Sequence, residues 1–266
     1  MARPLNRDAK SCRKIMARRE KLDRVDSSAR FGFGDTAALA SVSGPIEAAR
    51  SGVELPEKAA LEINLRPLYA VAGVAEKSIC SALRASFKSA IVLNAHPRTL
   101  IQVVAQSLSP PFSKYKGTSP GGTVFDTNPS ITAALINAGS LALLQAASIP
   151  AVGTVVAVAV GVKRISQKSE FIIDPEDIEV GDLVAGGVFA FLFSRSHAPL
   201  ASTGQSEPDN EDFPKGRVVW SSWEGVFNAT EYAKAEELAR FAAAEILEIF
   251  RQTMSGANDV ESMAVD

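Results

Sequence analysis

Few side chains in the sequence could act as nucleophiles, general acids or metal ligands. The two histidines are His96, in NAHPRT, and His197, in a polar stretch. Neither belongs to an HExxH pattern or a Cys/His cluster, which are the spacings that zinc sites use. A Ser-His-Asp arrangement stays open on sequence alone. We expect His96 to be a turn residue, and we predict neither a catalytic residue, nor a metal site, nor a cofactor.

The acidic segment DPEDIEVGD, residues 174–182, is the best candidate for binding a divalent cation, because hard cations prefer carboxylate oxygens. A solvated turn between two strands also explains this segment, and we favour that interpretation. The glycines of PGG, residues 120–122, are not predicted to cradle a phosphate, since no Lys-Ser/Thr pair follows them.

Charge is distributed unevenly, although the net charge is only -2. Residues 1–24 carry nine Lys and Arg against three acidic residues, a net of +6, so the remainder carries -8. Such an arm can bind phosphate backbones without sequence preference, and it resembles a transit peptide. A frayed, solvated terminus is the interpretation we favour, and we predict a flexible arm over residues 1–25. Cys12 and Cys80 have no paired spacing, which favours a reducing intracellular compartment.

Apolar periodicity predicts the elements that would position these groups. SARFGFGDTAALASVSGPIEA, residues 28–48, indicates two strands joined at Gly34, while residues 61–66 and 99–108 indicate two more. Residues 74–93 are predicted to form a helix with Ile79, Leu83, Phe87 and Ala90 on its buried face. The uncharged residues 142–162 have a membrane-spanning length, but Pro150 divides them into a buried helix and a valine-rich central strand.

The rest of the chain completes an α+β domain with mixed β-sheet layers and packed helices. Two further strands are predicted in SEFIID and GGVFAFLFS, and a C-terminal helix is predicted to start at Asn228 with Glu231 in a capping box. Residues of about 107–130 and 195–217 are rich in Pro, Gly and Ser and are predicted to be long loop insertions. We therefore expect one domain over residues 26–255, followed by a flexible tail over residues 256–266.

Eight segments occur in the order seen in a known family. They are SARFGFGDTAALASVSGP, ALEINLRP, GVAEKS, AHPRTLIQVVAQSL, INAGSLALL, IPAVGTVVAVAVG, FIIDP and GVFNATEYAKAEELARFAAAEILEIFRQ. In this order the chain resembles the RNase PH family, and GVAEKS and HPRTLIQVV make it most similar to ring subunits of the eukaryotic RNA exosome. The resemblance implies an α+β domain that pairs into heterodimers and then into a six-membered ring around an RNA channel.

The resemblance also implies that the catalytic groups of the family are lost in this chain. Phosphorolytic members hold the phosphate nucleophile and the RNA with arginines and a helix N-terminus. The arginine position at the first helix reads Glu76-Lys77 here, and the phosphate site at the second helix reads Ser130-Ile131. The second acidic position falls at Ala185-Gly186. Asp177 or Asp182 would be remnants of the acidic site without a phosphate to assist.

We therefore expect a non-catalytic exosome ring subunit that scaffolds 3'-to-5' RNA processing in the nucleus, nucleolus and cytoplasm. Its implied partners are other RNase PH-like ring subunits, OB-fold or KH cap subunits, a separate exoribonuclease and RNA bound without sequence preference; no membrane is expected. The candidate RNA-binding residues are Arg66, Lys77, Lys114 and Lys116. Two alternatives stay open: a residual phosphorolytic or metal-assisted exoribonuclease that uses Asp174, Asp177 or Asp182, and a homodimeric nucleic-acid-binding protein outside the ring.

Overall fold

The computed structural model describes residues 7–47, 54–69, 71–110, 128–165, 168–194 and 216–256. Within these residues the strands are β1 (Ile15–Glu20), β2 (Ser27–Phe33), β3 (Thr36–Glu47), β4 (Ala60–Arg66), β5 (Thr99–Ser107), β6 (Thr154–Ile165), β7 (Lys168–Ile173), β8 (Ala185–Phe193) and β9 (Arg217–Gly225). The α-helices are α1 (Val74–Lys88), α2 (Pro129–Gln145), α3 (Asp177–Val180) and α4 (Ala229–Met254), and a short 3-10 helix covers Leu93–Ala95.

The first five strands form one mixed sheet in the order β1-β2-β3-β5-β4. All neighbours are antiparallel except β4 and β5, which are parallel and are joined through α1 because a parallel pair needs a crossover connection. The β2–β3 hairpin turns at Gly34, whose φ of 53° is readily available to glycine. The hairpin predicted from SARFGFGDT is therefore confirmed.

The other four strands form an antiparallel sheet in the order β7-β6-β8-β9. Every residue of β8 is buried, and the apolar run of β6 lies between β7 and β8. Continuous apolar runs of this kind are typical of strands covered on both faces. The valine-rich central strand and the two strands predicted after it are confirmed.

Helix α2 lies between the two sheets and contacts strands of both. Its residues from Pro129 to Ala142 are all buried, and Asn137 satisfies its amide by hydrogen bonds with the backbone of Ala157 at 2.7 and 2.8 Å. The layers are therefore sheet, helix and sheet, which confirms the α+β prediction. In the described part of the chain, no helix combines the length and hydropathy needed to cross a membrane.

The prediction of a flexible arm over residues 1–25 is wrong for residues 7–25, the part of this segment that the structure describes. Residues 15–20 form β1, which pairs antiparallel with β2 at the edge of the first sheet. Arg7 and Arg13 are ion-paired with Asp174 at 3.4 and 2.6 Å. An edge strand is held by backbone hydrogen bonds and tolerates charged side chains, so IMARRE has the composition of a solvated arm although it belongs to the sheet.

Element ends also differ from the sequence predictions. Helix α1 ends at Lys88 rather than residue 93, and His96 lies in the bend that follows the 3-10 helix, as expected. Strand β9 was not predicted, because VVWSSW has no clear alternation of apolar and polar residues. Residues 107 and 128–130 belong to β5 and the start of α2, so the first insertion is shorter than predicted. Most of both insertions, and the tail beyond residue 256, lie outside the described residues.

Candidate functional site

A cleft of about 290 Å³ opens where α1, the N-terminus of α2, β8 and β9 meet. Its described lining residues are Ser78, Ile79, Ser81, Ala82, Pro129, Thr132, Gly186, Gly187, Val188, Trp220, Ser221, Ser222 and Glu224. The sequence suggested lost catalytic groups at three positions: the start of α1, the start of α2 and the start of β8. Residues at or next to all three line this cleft.

The lining chemistry of this cleft is neutral or acidic. Among the described lining residues, Glu224 carries the only ionisable side chain, and the polar remainder are five serine and threonine hydroxyls. A dianionic phosphate is normally bound by guanidinium groups and helix N-terminal amides. The described lining contains no lysine or arginine that could hold phosphate against RNA.

The start of α1 carries Glu76 and Lys77, where the resemblance predicts the first arginine position. Glu76 is buried, and its Oε2 accepts a hydrogen bond of 2.6 Å from the N–H of Gly73. The side chain therefore caps α1 instead of facing a ligand. Lys77 is exposed beside the lining residue Ser78 but does not itself line the cleft.

The N-terminus of α2 is saturated by groups of the chain itself. The Oδ1 of Asn128 accepts the N–H of Ser130 at 3.0 Å, and the Ser130 hydroxyl donates to the carbonyl of Pro175 at 2.8 Å. Ser130 and Ile131 are 0% and 2% exposed. Helix N-termini bind anions through unsatisfied amides, so the Asn128 cap takes the place that a phosphate would need.

The predicted position of the lost acidic group lies inside the second sheet. Ala185 and Gly186 are buried in β8, and Gly186 pairs with Glu224 of β9. The carboxylate of the cleft therefore comes from the neighbouring strand. Sequence reasoning missed Glu224 because it missed β9, whose segment lacks a clear alternation of apolar and polar residues.

The acidic segment does not form one cluster. Asp174, expected in a solvated turn, is 0% exposed and binds Arg13 through both carboxylate oxygens at 2.6 and 2.7 Å. Asp182 is exposed and pairs with Lys163 at 3.4 Å, whereas Asp177 lies 3.5 Å from the amide of Asn128. Among the described residues, no three His, Cys, Asp or Glu side chains lie together in a way that could hold a metal ion.

The charge of Asp174 also raises the pKa values of two groups in the N-terminal segment, Arg13 and Cys12. Burial opposes the charge of Arg13, but the hydrogen bonds and charge of Asp174 outweigh it and raise the pKa of Arg13. Burial, assisted by the charge of Asp174, raises the pKa of the Cys12 thiol to about 12. Burial also raises the pKa of Cys80. Neither cysteine is poised to act as a thiolate nucleophile near neutral pH.

The two described RNA-binding candidates, Arg66 and Lys77, do not line the cleft. Arg66 is exposed at the end of β4, in a groove of about 710 Å³ that also contains Gln102 and Gln106. This groove and the cleft share no lining residue. Lys114, Lys116 and His197 lie outside the described residues, so of the four predicted cations the structure places only Arg66 and Lys77.

Comparisons with known proteins agree with this architecture. The sequence model of the 3' exoribonuclease family, domain 1 (RNase PH), matches residues 11–149. A rice protein named exosome complex exonuclease RRP46 homolog is 30% identical over 248 residues, which is 93% of either chain. A Saccharomyces cerevisiae protein named exosome complex component RRP46 is 42% identical over 87 residues, 33% of this chain and 39% of the yeast chain.

Solved structures lead to the same family. The crystal structure of rice Rrp46 superposes with a TM-score of 0.73 and 26% identity, covering 94% of this chain and 98% of the rice chain. A chain of the archaeal exosome core superposes with a TM-score of 0.63, covering 92% of this chain and 89% of that one, and its 13% identity supports the fold alone. The protein is therefore a member of the 3' exoribonuclease family, built on the RNase PH domain.

Proposed function

We propose that this chain is a non-catalytic ring subunit of an RNA exosome. It scaffolds 3'-to-5' RNA processing and degradation and lines the channel, while a separate exoribonuclease cuts the RNA. The names of its rice and yeast relatives support the complex. The observation that carries the non-catalytic part is the cleft, which has no lysine or arginine among its described lining residues.

Electrostatics explain why this absence matters. Phosphorolysis must bring inorganic phosphate against the phosphodiester of RNA, and both are anions. Two unit charges 4 Å apart repel by about 4 kcal/mol at an effective dielectric constant of about 20. Glu224 adds a further negative charge to the cleft, and the Asn128 cap uses the amide that could have offset it.

The sheet edges support assembly with other subunits. In the described residues, β9 is an edge strand that carries no charge between Arg217 and Glu224, and Val226 and Phe227 beyond it are 67% and 40% exposed. Isolated proteins usually protect such edges with charges or proline. We assign the neighbours as other RNase PH-like subunits in a six-membered ring, with OB-fold or KH cap subunits above it, acting in the nucleus, nucleolus and cytoplasm.

A phosphorolysis assay tests the catalytic part. The full-length chain and its reconstituted ring are incubated with 3'-labelled single-stranded RNA and inorganic phosphate, with and without Mg²⁺, beside an active RNase PH as the positive control. We expect no release of nucleoside diphosphates. The word exonuclease in the rice relative's name favours residual nuclease activity as the second candidate, and phosphate-dependent or Mg²⁺-dependent trimming would establish it instead.

The RNA-binding part is tested by charge reversal in the ring. We expect Arg66→Glu with Lys77→Glu to weaken RNA protection, and more so at low salt, because screening removes the wild-type advantage at high salt. The matched control is Lys234→Glu with Arg251→Glu, which makes the same charge change on exposed positions of α4. Equal protection by both double variants at every salt concentration would contradict a channel role for Arg66 and Lys77, and a native mass of two copies would favour the homodimer.

A further inference from the structure

One face of the first sheet carries a row of side chains that crosses all five strands. Residues directly opposite one another on neighbouring strands project from the same face of a sheet. The register places one residue of each strand in this row, here called the arginine row: Arg18, Arg30, Leu39, Gln106 and Arg66. With neighbouring strands about 4.8 Å apart, the row is about 19 Å long.

The arginine row is open to solvent. Helices α2 and α4 pack against the opposite face of the sheet, where the buried ring of Phe31 lies 5.7 Å from the ring of Phe250. In the row itself, Arg18 and Arg66 are exposed, and the side chain of Arg30 is 40% exposed. A ligand can therefore approach the three guanidinium groups from solvent.

The cations of this row are not matched by acidic groups. Arg18 and Arg30 lie directly opposite each other, and like charges in this position are destabilising. Among the described residues, the row forms one ion pair, between the Nε of Arg30 and the Oε1 of Glu20 at 3.3 Å. An anion bound between Arg18 and Arg30 would offset their repulsion, and guanidinium groups bind phosphate oxygens through paired hydrogen bonds.

Further cations lie at the β1 end of the row. Lys14 is exposed four residues before Arg18, so the alternation of the strand places it on the same face. Lys21 and Arg24 are exposed in the turn between β1 and β2. The excess of Lys and Arg in the N-terminal segment is therefore held in part by the sheet, beside the arginine row.

We propose that the arginine row binds the backbone of single-stranded RNA on the first sheet, outside the cleft. The cations suit a chain of phosphodiester anions, and the amide of Gln106 suits a sugar hydroxyl. The row has no aromatic side chain on which a base could stack, so binding is expected to be independent of sequence. The choice of RNA as the polyanion rests on the proposed function, whereas the register, the exposure and the charges do not.

Fluorescence anisotropy of a labelled oligouridylate, titrated with the full-length chain at several salt concentrations, tests the proposal. We expect Arg18→Gln with Arg30→Gln to reduce the slope of log K against log salt by about 1.4, because each phosphate contact of a single strand contributes about 0.7. The matched control, Lys234→Gln with Arg251→Gln, removes two cations from exposed positions of α4 and is expected to leave the slope unchanged. An unchanged slope in the first double variant overturns the proposal.

A charge reversal separates RNA binding from stability. Arg18→Glu places a carboxylate opposite Arg30, and opposite charges across a strand pair are stabilising. We therefore expect this variant to unfold at no lower urea concentration than wild type, yet to bind the oligouridylate more weakly than Arg18→Gln does. Binding as tight as that of wild type contradicts the proposal.

Polyglutamate of matched length, used as a competitor, distinguishes RNA from an acidic protein segment. We expect it to displace the labelled RNA less effectively than unlabelled oligouridylate, because it has no sugar hydroxyl for Gln106. Equal displacement would identify an acidic protein segment as the occupant and overturn the assignment to RNA. If Arg66→Glu with Lys77→Glu weakens RNA protection by the reconstituted ring and Arg18→Gln with Arg30→Gln does not, the proposed channel role stands and the arginine row is rejected.

Discussion

The two ends of α2 differ in how their polar groups are satisfied. At the N-terminal end, Asn128 accepts the N–H of Ser130, and the Ser130 hydroxyl donates to Pro175. Toward the C-terminal end, the Ser140 hydroxyl is buried without a hydrogen-bond partner. Both serines are buried in the same helix, so burial alone does not distinguish them.

The N-terminal end of α2 therefore has polar groups that the chain itself pairs, whereas the C-terminal half keeps a buried hydroxyl unpaired. A helix N-terminus favours anions, yet here the Asn128 side chain occupies the N–H of Ser130. The C-terminal half of the helix has no such electrostatic attraction, but it keeps a buried hydroxyl without a partner. The position of a helix end is therefore not sufficient evidence for a binding site.

The largest effect is expected from removing the carboxylate of Asp174, which lies near the N-terminal end of α2. Asp174 precedes the carbonyl that Ser130 binds, and Asp174→Ala leaves Arg7 and Arg13 buried without this partner. We expect a loss of about 3–5 kcal/mol in the free energy of unfolding, measured by urea titration. Asp182→Ala, at an exposed ion pair, is the control and is expected to cost less than about 1 kcal/mol. Equal costs would show that the buried pairs do not stabilise this corner.

Overpacking α2 at Gly139 is expected to have the second-largest effect. Gly139→Ala forces the buried Phe87 ring to move, because the new Cβ would lie 2.5 Å from it. Overpacking costs about 1–3 kcal/mol, and the better helix propensity of alanine returns up to about 1 kcal/mol. We expect a net loss of about 1–2 kcal/mol in the free energy of unfolding, measured by urea titration. A variant that is more stable than wild type would mean that Phe87 relaxes freely.

Removing the Asn128 cap at the N-terminal end of α2 is expected to have the third-largest effect. Asn128→Ala deletes the acceptor of the Ser130 N–H, and we expect it to lower the free energy of unfolding by about 1 kcal/mol. Asn128→Ser keeps a side-chain oxygen that can cap the helix and is expected to stay closer to wild type. Phosphorolysis assays on Asn128→Ala are expected to remain negative, since the described lining of the cleft still has no lysine or arginine. Recovered activity in this variant would show that the cap alone silences the site.

The smallest effect is expected at the unsatisfied hydroxyl itself. Ser140→Ala removes no hydrogen bond, so we expect the free energy of unfolding to change by less than about 1 kcal/mol, with an increase as the favoured direction. Ser86→Ala removes a hydrogen bond of 2.9 Å and is expected to be less favourable. If Ser140→Ala were clearly the more destabilising of the two, its hydroxyl would have a partner in solution.

Much of the fold followed from local patterns of residues. The hairpin at Gly34, the buried face of α1 and the cap of α4 at Asn228 were all predicted, because hydrophobic periodicity and capping residues act within a few positions of one another. Strands β1 and β9 were missed, because edge strands are held by backbone pairing with distant strands, and their side chains need not alternate.

For the candidate site, too, local residue patterns were predictable and contacts between distant segments were not. The sequence alone was sufficient to identify the family resemblance and to predict that catalytic groups are lost at Lys77, Ile131 and Gly186, since residue types in order carry that information. Only the tertiary structure decided that Glu224 pairs with Gly186, that Asn128 caps the start of α2 and that the Ser140 hydroxyl is buried without a partner. Each of these depends on which distant segments folding brings into contact, and a local sequence pattern does not encode those contacts.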